Sequence, residues 1–285
     1  DRMIEAAEDN GVRLLMHSKA NDPPVVKIRE VISSGQLGRL IQINTWNYKG
    51  WLRSARLPAE VDTSMGGGVV YRQGAHQVDI VRCIGGGMVK KVRGITGKWN
   101  PHFDTEGNFT AFLEFEDGTP ATLVFNGYGY FDMTELTWGI GEGGTKSSKQ
   151  RRDQGDKKGP SGPVDPAVRY AMPRRAETRR SEGKRWQPIF GLTLVSCEKG
   201  DIRQSPEGLY VYSEKGMKEI PCAPYLDRSA ELLRLCEAAS PHGHGSPVYT
   251  DGRWGRASLE VILAILESSR CGHDITLSRQ VSCPI

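Results

Sequence analysis

Residues 108–129, "NFTAFLEFEDGTPATLVFNGYG", read as two β-strands folded back on each other about Asp117-Gly118, a dipeptide that reaches the positive-φ backbone of a tight hairpin at little steric cost. "MVKKVRGITGKW" (88–99) before it and "ELTWGIGEGG" (135–144) after it carry the same strand signature. Further on, "FGLTLVSCEKGDIRQSPEGLYVYSEKGMKEIP" (190–221) repeats the scheme, with Lys-Gly, Glu-Gly and Lys-Gly at its turns. Strands that follow one another through turns predict one largely antiparallel sheet.

The chain before residue 88 alternates helix and strand, the mark of α/β construction. "DRMIEAAEDN" reads as a helix closed by Gly11, "VRLLM" (12–16) as a buried strand, and "HSKANDPP" (17–24) as a loop. "PPVVKIREVISSGQLG" (23–38) starts a second helix on proline, with Val25, Val26, Ile28, Val31 and Ile32 on one side, and "RLIQINTWNY" (39–48) is a strand. "GGGVVYRQGAHQVDIVRCIGGG" (66–87) is a helix bracketed by glycines. Two more helices, "LDRSAELLRLCEAA" (226–239) and "GRASLEVILAILESSR" (255–270), follow the sheet.

With 285 residues, 38% of them hydrophobic, the chain can bury a core. Cysteines at 83, 197, 222, 236, 271 and 283 form no CxxC pair and show no zinc-type His/Cys spacing, so no metal is expected, and they read as reduced thiols of a cytoplasmic protein. No apolar run approaches a membrane span, and the first residues lack the form of a signal peptide. The net charge of +4 is uneven: residues 146–185 hold thirteen Lys or Arg against five Asp or Glu, about +8, which leaves about −4 for the remainder. This basic segment is expected to be a mobile loop or a lid over an anionic substrate. Tyr170 within it and Trp186 directly after it alone supply aromatics, so nucleic acid is not an expected partner.

Several residues are candidates for chemistry. Gly66 to Gly68 can bring backbone N–H groups to an anion at a helix N-terminus. Arg72, His76 and Asp79, four and three residues apart, can share a helix face on which the imidazole exchanges a proton with a hydroxyl and the guanidinium grips a carboxylate. The spacing equally allows a buried histidine satisfied by backbone, with Arg72 and Asp79 solvated. His17 and Lys19 follow an expected strand, where α/β sheets place ligands, although an ordinary polar loop explains them as well. "GIGEGG" (139–144) leads into no apolar helix and is rejected as a phosphate loop.

Taken in order, "MIEAAEDNGVRLLMHS", "DPPVVKIREVISSGQLGRLIQI", the 66–87 stretch and "DGRWGRASLEVILAILESSRCGHDITL" resemble the glucose-fructose oxidoreductase and inositol dehydrogenase (Gfo/Idh/MocA) family of NAD(P)-dependent enzymes. "TEGNFTAFLEFEDGTPATLVFNGYGYFD" and "LTLVSCEKGDIRQSPEGLYVY" look most similar to its phthalate cis-dihydrodiol dehydrogenases. The resemblance implies a Rossmann domain for NAD or NADP and a second α/β domain, α+β in character, whose open, largely antiparallel sheet carries helices on one face. Residues 1–22 would then be a remnant of the Rossmann domain, and 23–285 the substrate-binding and oligomerisation domain. The glycine-rich fingerprint and a catalytic Glu-Lys-Pro lysine are expected upstream of Asp1.

The family's catalytic histidine falls on His76. Where many members carry an aspartate one turn earlier, this chain has Arg72, which suits a carboxylated substrate better than a sugar or inositol. The expected protein oxidises a secondary alcohol, with His76 as acid/base, Arg72, Asp79 and Gly68 at the substrate, and His17 and Lys19 at the cofactor. Its expected partners are a small anionic substrate and further copies of itself through the sheet, with no nucleic acid and no membrane. A non-catalytic binding and oligomerisation module of the same fold is the alternative.

Overall fold

The computed structural model describes residues 1–146, 163–171, 184–226, 229–239 and 250–285; most of the basic segment 146–185 lies outside these residues. Nine strands form one sheet: β1 (Leu40–Tyr48), β2 (Val89–Gly97), β3 (Asn108–Phe115), β4 (Pro120–Asn126), β5 (Leu192–Cys197), β6 (Gly200–Gln204), β7 (Gly208–Ser213), β8 (Gly216–Pro221) and β9 (Ile275–Thr276). Their spatial order is β8-β7-β6-β5-β1-β4-β3-β2-β9. Among the described residues, β1 with β4 is the one parallel pair.

The 108–129 stretch forms the expected hairpin, with Gly118 at φ +84 in its turn. Alternation decides its faces, because successive side chains of a strand point to opposite sides. Phe109, Ala111 and Leu113 of β3 stand opposite Phe125, Leu123 and Ala121 of β4, all buried, and the Phe109 and Phe125 rings stack 5.9 Å apart.

Three helices cover this buried face. α2 (Pro23–Ser33) buries Pro24, Val25, Ile28 and Ile32, the spacing of a helix with one apolar side. α3 (Ala75–Ile84) buries Val78, Val81 and Ile84, and α6 (Gly252–Cys271) buries Trp254, Val261 and Ile265. Asp251 caps α6 by accepting from Trp254 N at 2.9 Å. Gly94 of β2 lets α6 lie directly on the sheet: a Cβ there would stand 2.7 Å from the Ile265 carbonyl oxygen, and Gly94 N instead donates to Ser268 Oγ at 2.9 Å. The smaller helices are α1 (Arg2–Asp9), α4 (Pro166–Ala171) and α5 (Ser229–Ala239).

Two expected strands take other forms. "VRLLM" makes a single bridge, Leu15 to Asp251, because it docks on the start of α6. Leu14 and Ile4 fill the space over Gly252 and Met16 that over Gly255, so these apolar side chains are half-buried. "ELTWGIGEGG" is a turn. Asp132 Oδ1 accepts from Thr134 N at 2.9 Å to start a 3-10 helix at Met133–Thr137, then Trp138 and Gly139, at φ 56 and 76, reverse the chain and let Gly139 N donate to Thr134 O at 2.7 Å. Positive φ at consecutive residues is incompatible with a strand. No helix among the described residues is long and apolar enough to cross a membrane.

Candidate active site

The glycines at 66–68 lead into the site helix as the sequence predicts, but the anion at its start belongs to this chain. Glu106 Oε1 accepts from Val70 N at 2.9 Å, while its Oε2 accepts from Thr63 Oγ1 at 2.6 Å and Thr105 Oγ1 at 3.1 Å. Gly68, at φ +89, is required for this packing: a Cβ would stand 2.3 Å from both Glu106 Oε1 and Thr105 Oγ1. Gly68 is therefore a close-packing position, not the expected substrate contact.

From Val70 to Gly74 the helix makes a π turn before α3 continues it, a wide turn often found at functional sites. His76 stands at the first turn of α3, its ring edge-to-face with Phe190 at 5.2 Å. Lys49, directly after β1, places its ammonium 5.1 Å from the same phenyl centroid and 3.3 Å from Glu142 Oε2. Lys19, buried, donates to the Glu142 backbone oxygen at 3.0 Å and pairs with Asp22 at 3.3 Å. His76 and Lys49 thus meet at Phe190, and Glu142 links Lys49 to Lys19, which Asp22 pairs in turn.

Their charges set one another. Burial pushes the His76 pKa down to about 4; Lys19, Lys49 and His17 push the same way, and Glu142 opposes them. Burial alone would raise the carboxyl of Glu142, but Lys49, Lys19 and His76 outweigh it and hold it below its ordinary value. Burial lowers the Lys49 pKa, with Glu142 restoring part of the loss. The result at neutral pH is an uncharged imidazole, able to accept a proton, beside an ionised carboxylate that favours the imidazolium once formed.

Alongside lies a cavity of about 640 Å³ whose lining includes Lys49, Arg53, Arg56, Gln73, Glu142 and Phe190. Aromatic and cationic groups alternate around it: Arg53 lies 4.2 Å over Tyr130 and Arg56 4.1 Å over Trp51. Asp132, Glu135 and Glu142 line it too, so the wall combines aromatic faces with three cations and three carboxylates and suits a flat molecule with polar groups on its rim.

The predicted site residues divide. His76 stands among the charged groups beside the cavity, and Lys19 joins it through Glu142. Arg72 is exposed and outside the cavity lining; its neighbour Gln73 faces the cavity instead. Asp79, expected at the substrate, is buried on the other side of the helix, accepting from Ser18 Oγ at 2.7 Å, Trp254 Nε1 at 3.3 Å and Ser258 Oγ. It pins the site helix to α6, with Arg82 stacked 3.9 Å from the Trp254 ring and donating to Ser258 Oγ at 2.8 Å. His17 pairs with Glu231 of α5, which also accepts from Ser18 N at 3.1 Å. Sequence reasoning missed Lys49 and Glu142. The rule that singled out Lys19, that ligands sit beyond the carboxyl ends of strands, applies equally to Lys49 after β1.

An open, largely antiparallel sheet with helices on one face, one of them carrying a histidine beside a cavity, matches the C-terminal α/β domain of the Gfo/Idh/MocA oxidoreductases. The chain belongs to the Gfo/Idh/MocA family. The GFO/IDH/MocA C-terminal domain model matches residues 25–145. A Comamonas testosteroni protein named 1-carboxy-3-chloro-3,4-dihydroxycyclo hexa-1,5-diene dehydrogenase is 30% identical over 281 residues, 94% of this chain and 69% of its own length. A solved structure assigned as a dehydrogenase, from Bordetella bronchiseptica RB50, superposes with a TM-score of 0.83 at 36% identity, covering 97% of this chain and 73% of that one. An Agrobacterium radiobacter oxidoreductase, solved with NAD+, L-tartaric acid and magnesium, shares the fold with a TM-score of 0.60 at 17% identity, covering 96% of this chain and 68% of its own.

Proposed function

We propose that the protein is an NAD(P)-dependent dehydrogenase acting on a secondary alcohol of a carboxylated aromatic cis-dihydrodiol. The observation that carries this reading is His76, packed edge-to-face on Phe190, beside a cavity that Phe190 lines together with Lys49, Arg53, Arg56, Asp132, Glu135 and Glu142. The name of the Comamonas relative, a dehydrogenase of a carboxylated dihydroxycyclohexadiene, supports it.

His76 takes the hydroxyl proton as the carbon–oxygen bond becomes a carbonyl, and Glu142 stabilises the resulting imidazolium. The substrate carboxylate sits against the cations of the cavity wall, in place of the Arg72 contact expected from sequence. A nicotinamide cofactor, when bound, supplies the hydride acceptor. Lys19 and His17, at the edge of the His76 cluster, fit its nicotinamide end. The glycine-bracketed helix start does not fit its phosphates, because Glu106 fills it. Residues 1–22 belong, on this reading, with the cofactor domain.

Replacement His76→Ala in the full-length enzyme tests the assignment by the appearance of reduced nicotinamide. Turnover is expected to fall by about 10²- to 10⁴-fold with little change in melting temperature. Retained turnover removes His76 from the mechanism. Binding of the carboxylated ligand with no reduction of NAD+ or NADP+ by the wild type makes the protein a binding module instead. The same reading includes a homo-oligomer through the outer face of the sheet, opposite the helices.

A further inference from the structure

Two of the six cysteines, Cys83 and Cys283, stand 200 residues apart in the sequence and in contact in the fold, with their Sγ atoms 3.8 Å apart. Cys83 is buried in α3, two turns after His76, and its thiol also faces the Ala20 backbone oxygen at 3.9 Å. Cys283 is buried too, in the segment 277–285 that follows β9 and forms neither helix nor strand. Hydrogen bonds hold this segment against the helices. Arg82 of α3 donates to Val281 O at 3.2 Å and to Gln280 Oε1 at 3.0 Å, Arg29 of α2 donates to Ile285 O at 3.0 Å, and Cys283 N donates to Gly86 O at 2.8 Å. Gly87, at φ +96, makes the approach possible, because a Cβ there would stand 2.7 Å from Cys283 N.

The chemistry of the pair differs from that of a cysteine used as a small apolar filler, whose thiol burial makes less acidic. Cys197 and Cys222 follow the ordinary rule, since burial pushes each up to about 11. Cys283 goes the other way. Its hydrogen bond with Cys83 draws its pKa down to about 7; burial opposes this, while the Ile285 backbone and the Arg29 and Arg82 guanidinium groups reinforce it. The thiolate, and not the thiol, is the form that oxidants meet. A thiolate with a second thiol in contact is the arrangement of an attacking and a resolving cysteine.

We infer that Cys83 and Cys283 are an oxidisable dithiol, a modification site that closes to an intramolecular disulfide when the protein meets hydrogen peroxide. The Cys283 thiolate attacks one peroxide oxygen and the O–O bond breaks; the hydroxide that leaves takes up the proton lost by Cys283 and becomes water, and Cys283 is a sulfenic acid. The Cys83 sulfur then attacks the Cys283 sulfur. The S–S bond forms, the S–O bond breaks, and the second water leaves with the Cys83 proton. Two thiols are oxidised and one peroxide is reduced to two waters, a change that a thiol reductant reverses. The sulfurs must close to about 2.05 Å, a movement asked of Cys283, which no strand ladder holds. The bond fastens the segment 277–285 to the helix that carries His76, and it stands apart from the dehydrogenase reading.

The test is a peptide map. The full-length protein is reduced, freed of reductant, treated with hydrogen peroxide without denaturant, blocked with N-ethylmaleimide and digested, and its peptides are weighed with and without dithiothreitol. The expected result is a linked pair that joins the Cys83 and Cys283 peptides, lighter by two hydrogen atoms than its reduced halves and lost on reduction, from protein that runs at the mass of one chain on a non-reducing denaturing gel. In Cys283→Ser the Cys83 peptide is expected to stay reduced under the same treatment, since the attacking thiolate is gone. Absence of the linked pair at peroxide concentrations that oxidise the exposed Cys236 overturns the inference, as does a pair that forms only in denaturant, a pair that joins two chains, or Cys83 oxidised equally in Cys283→Ser. If that variant fails to fold, the wild-type map alone decides.

Discussion

At the scale of single residues, His76 is defined by what surrounds it more than by its place in the helix. Burial, and with it the ammonium groups of Lys19 and Lys49, disfavours its charged form, and Glu142 acts against them. Its pKa of about 4 lies below the ordinary 6.5. Between these values the unfolded chain binds a proton that the folded protein refuses, so stability at this position is complete above about pH 6.5 and falls as the pH drops towards about 4. The His76 ring protons in an NMR titration are accordingly expected to move near pH 4, and in Glu142→Gln lower still, since a favourable charge is gone. A midpoint near 6.5 would mean that the imidazole is solvated and that the site is not assembled as described. Much of this was beyond the sequence, which identifies the histidine by its motif. Lys49, Glu142 and Phe190 come from three separated segments, and no spacing rule connects residues 49, 142 and 190.

At the scale of elements, the helix from Val70 to Ile84 shows both the strength and the limit of periodicity. Its existence, its glycine brackets and its apolar side are legible, because packing on a sheet demands an apolar stripe. The side on which a polar residue works is not legible. Arg72, His76 and Asp79 share a spacing, yet His76 meets the charged cluster while Asp79 meets Ser18, Trp254 and Ser258 under α6, and the π turn brings Gln73 to the cavity in place of Arg72. The same limit applies at Gly66–Gly68, where the inference of an anion at a helix start is physically sound and the anion proves to be Glu106, thirty-odd residues along the chain. Asp79→Ala is expected to cost about 3 to 5 kcal/mol in denaturant unfolding, because three buried donors and the nearby Arg82 lose their carboxylate partner. Stability close to wild type, together with weakened binding of a carboxylated ligand, would return Asp79 to the substrate contact that its spacing predicts.

At the scale of the whole molecule, the sheet has two unlike faces. One carries Val92, Leu113, Leu123 and Ile43 into the core beneath the helices. Across the other, strand registers align Ile95, Thr110, Val124, Trp46 and Leu192 in one row and Arg93, Phe112, Thr122, Asn44 and Leu194 in the next. Ile95 is 63% exposed and Phe112 42%. The first row is apolar but for Thr110 and the second mixes Phe112 and Leu194 with Arg93, Thr122 and Asn44; the proposed association uses this face, where a two-fold arrangement in which each copy offers the same surface closes the assembly without leaving a second patch. The proposed oligomer makes the outcome specific. Light scattering on the wild type is expected to give a multiple of the chain mass, and Ile95→Asp combined with Phe112→Asp the mass of one chain. Both side chains point away from the core and from the His76 cluster, so the melting of the monomer and its binding of carboxylated ligands should change little beyond what dissociation itself removes. A wild type that is monomeric at tens of micromolar, or a multimer that the paired aspartates leave intact, would place the association surface elsewhere or nowhere on this sheet.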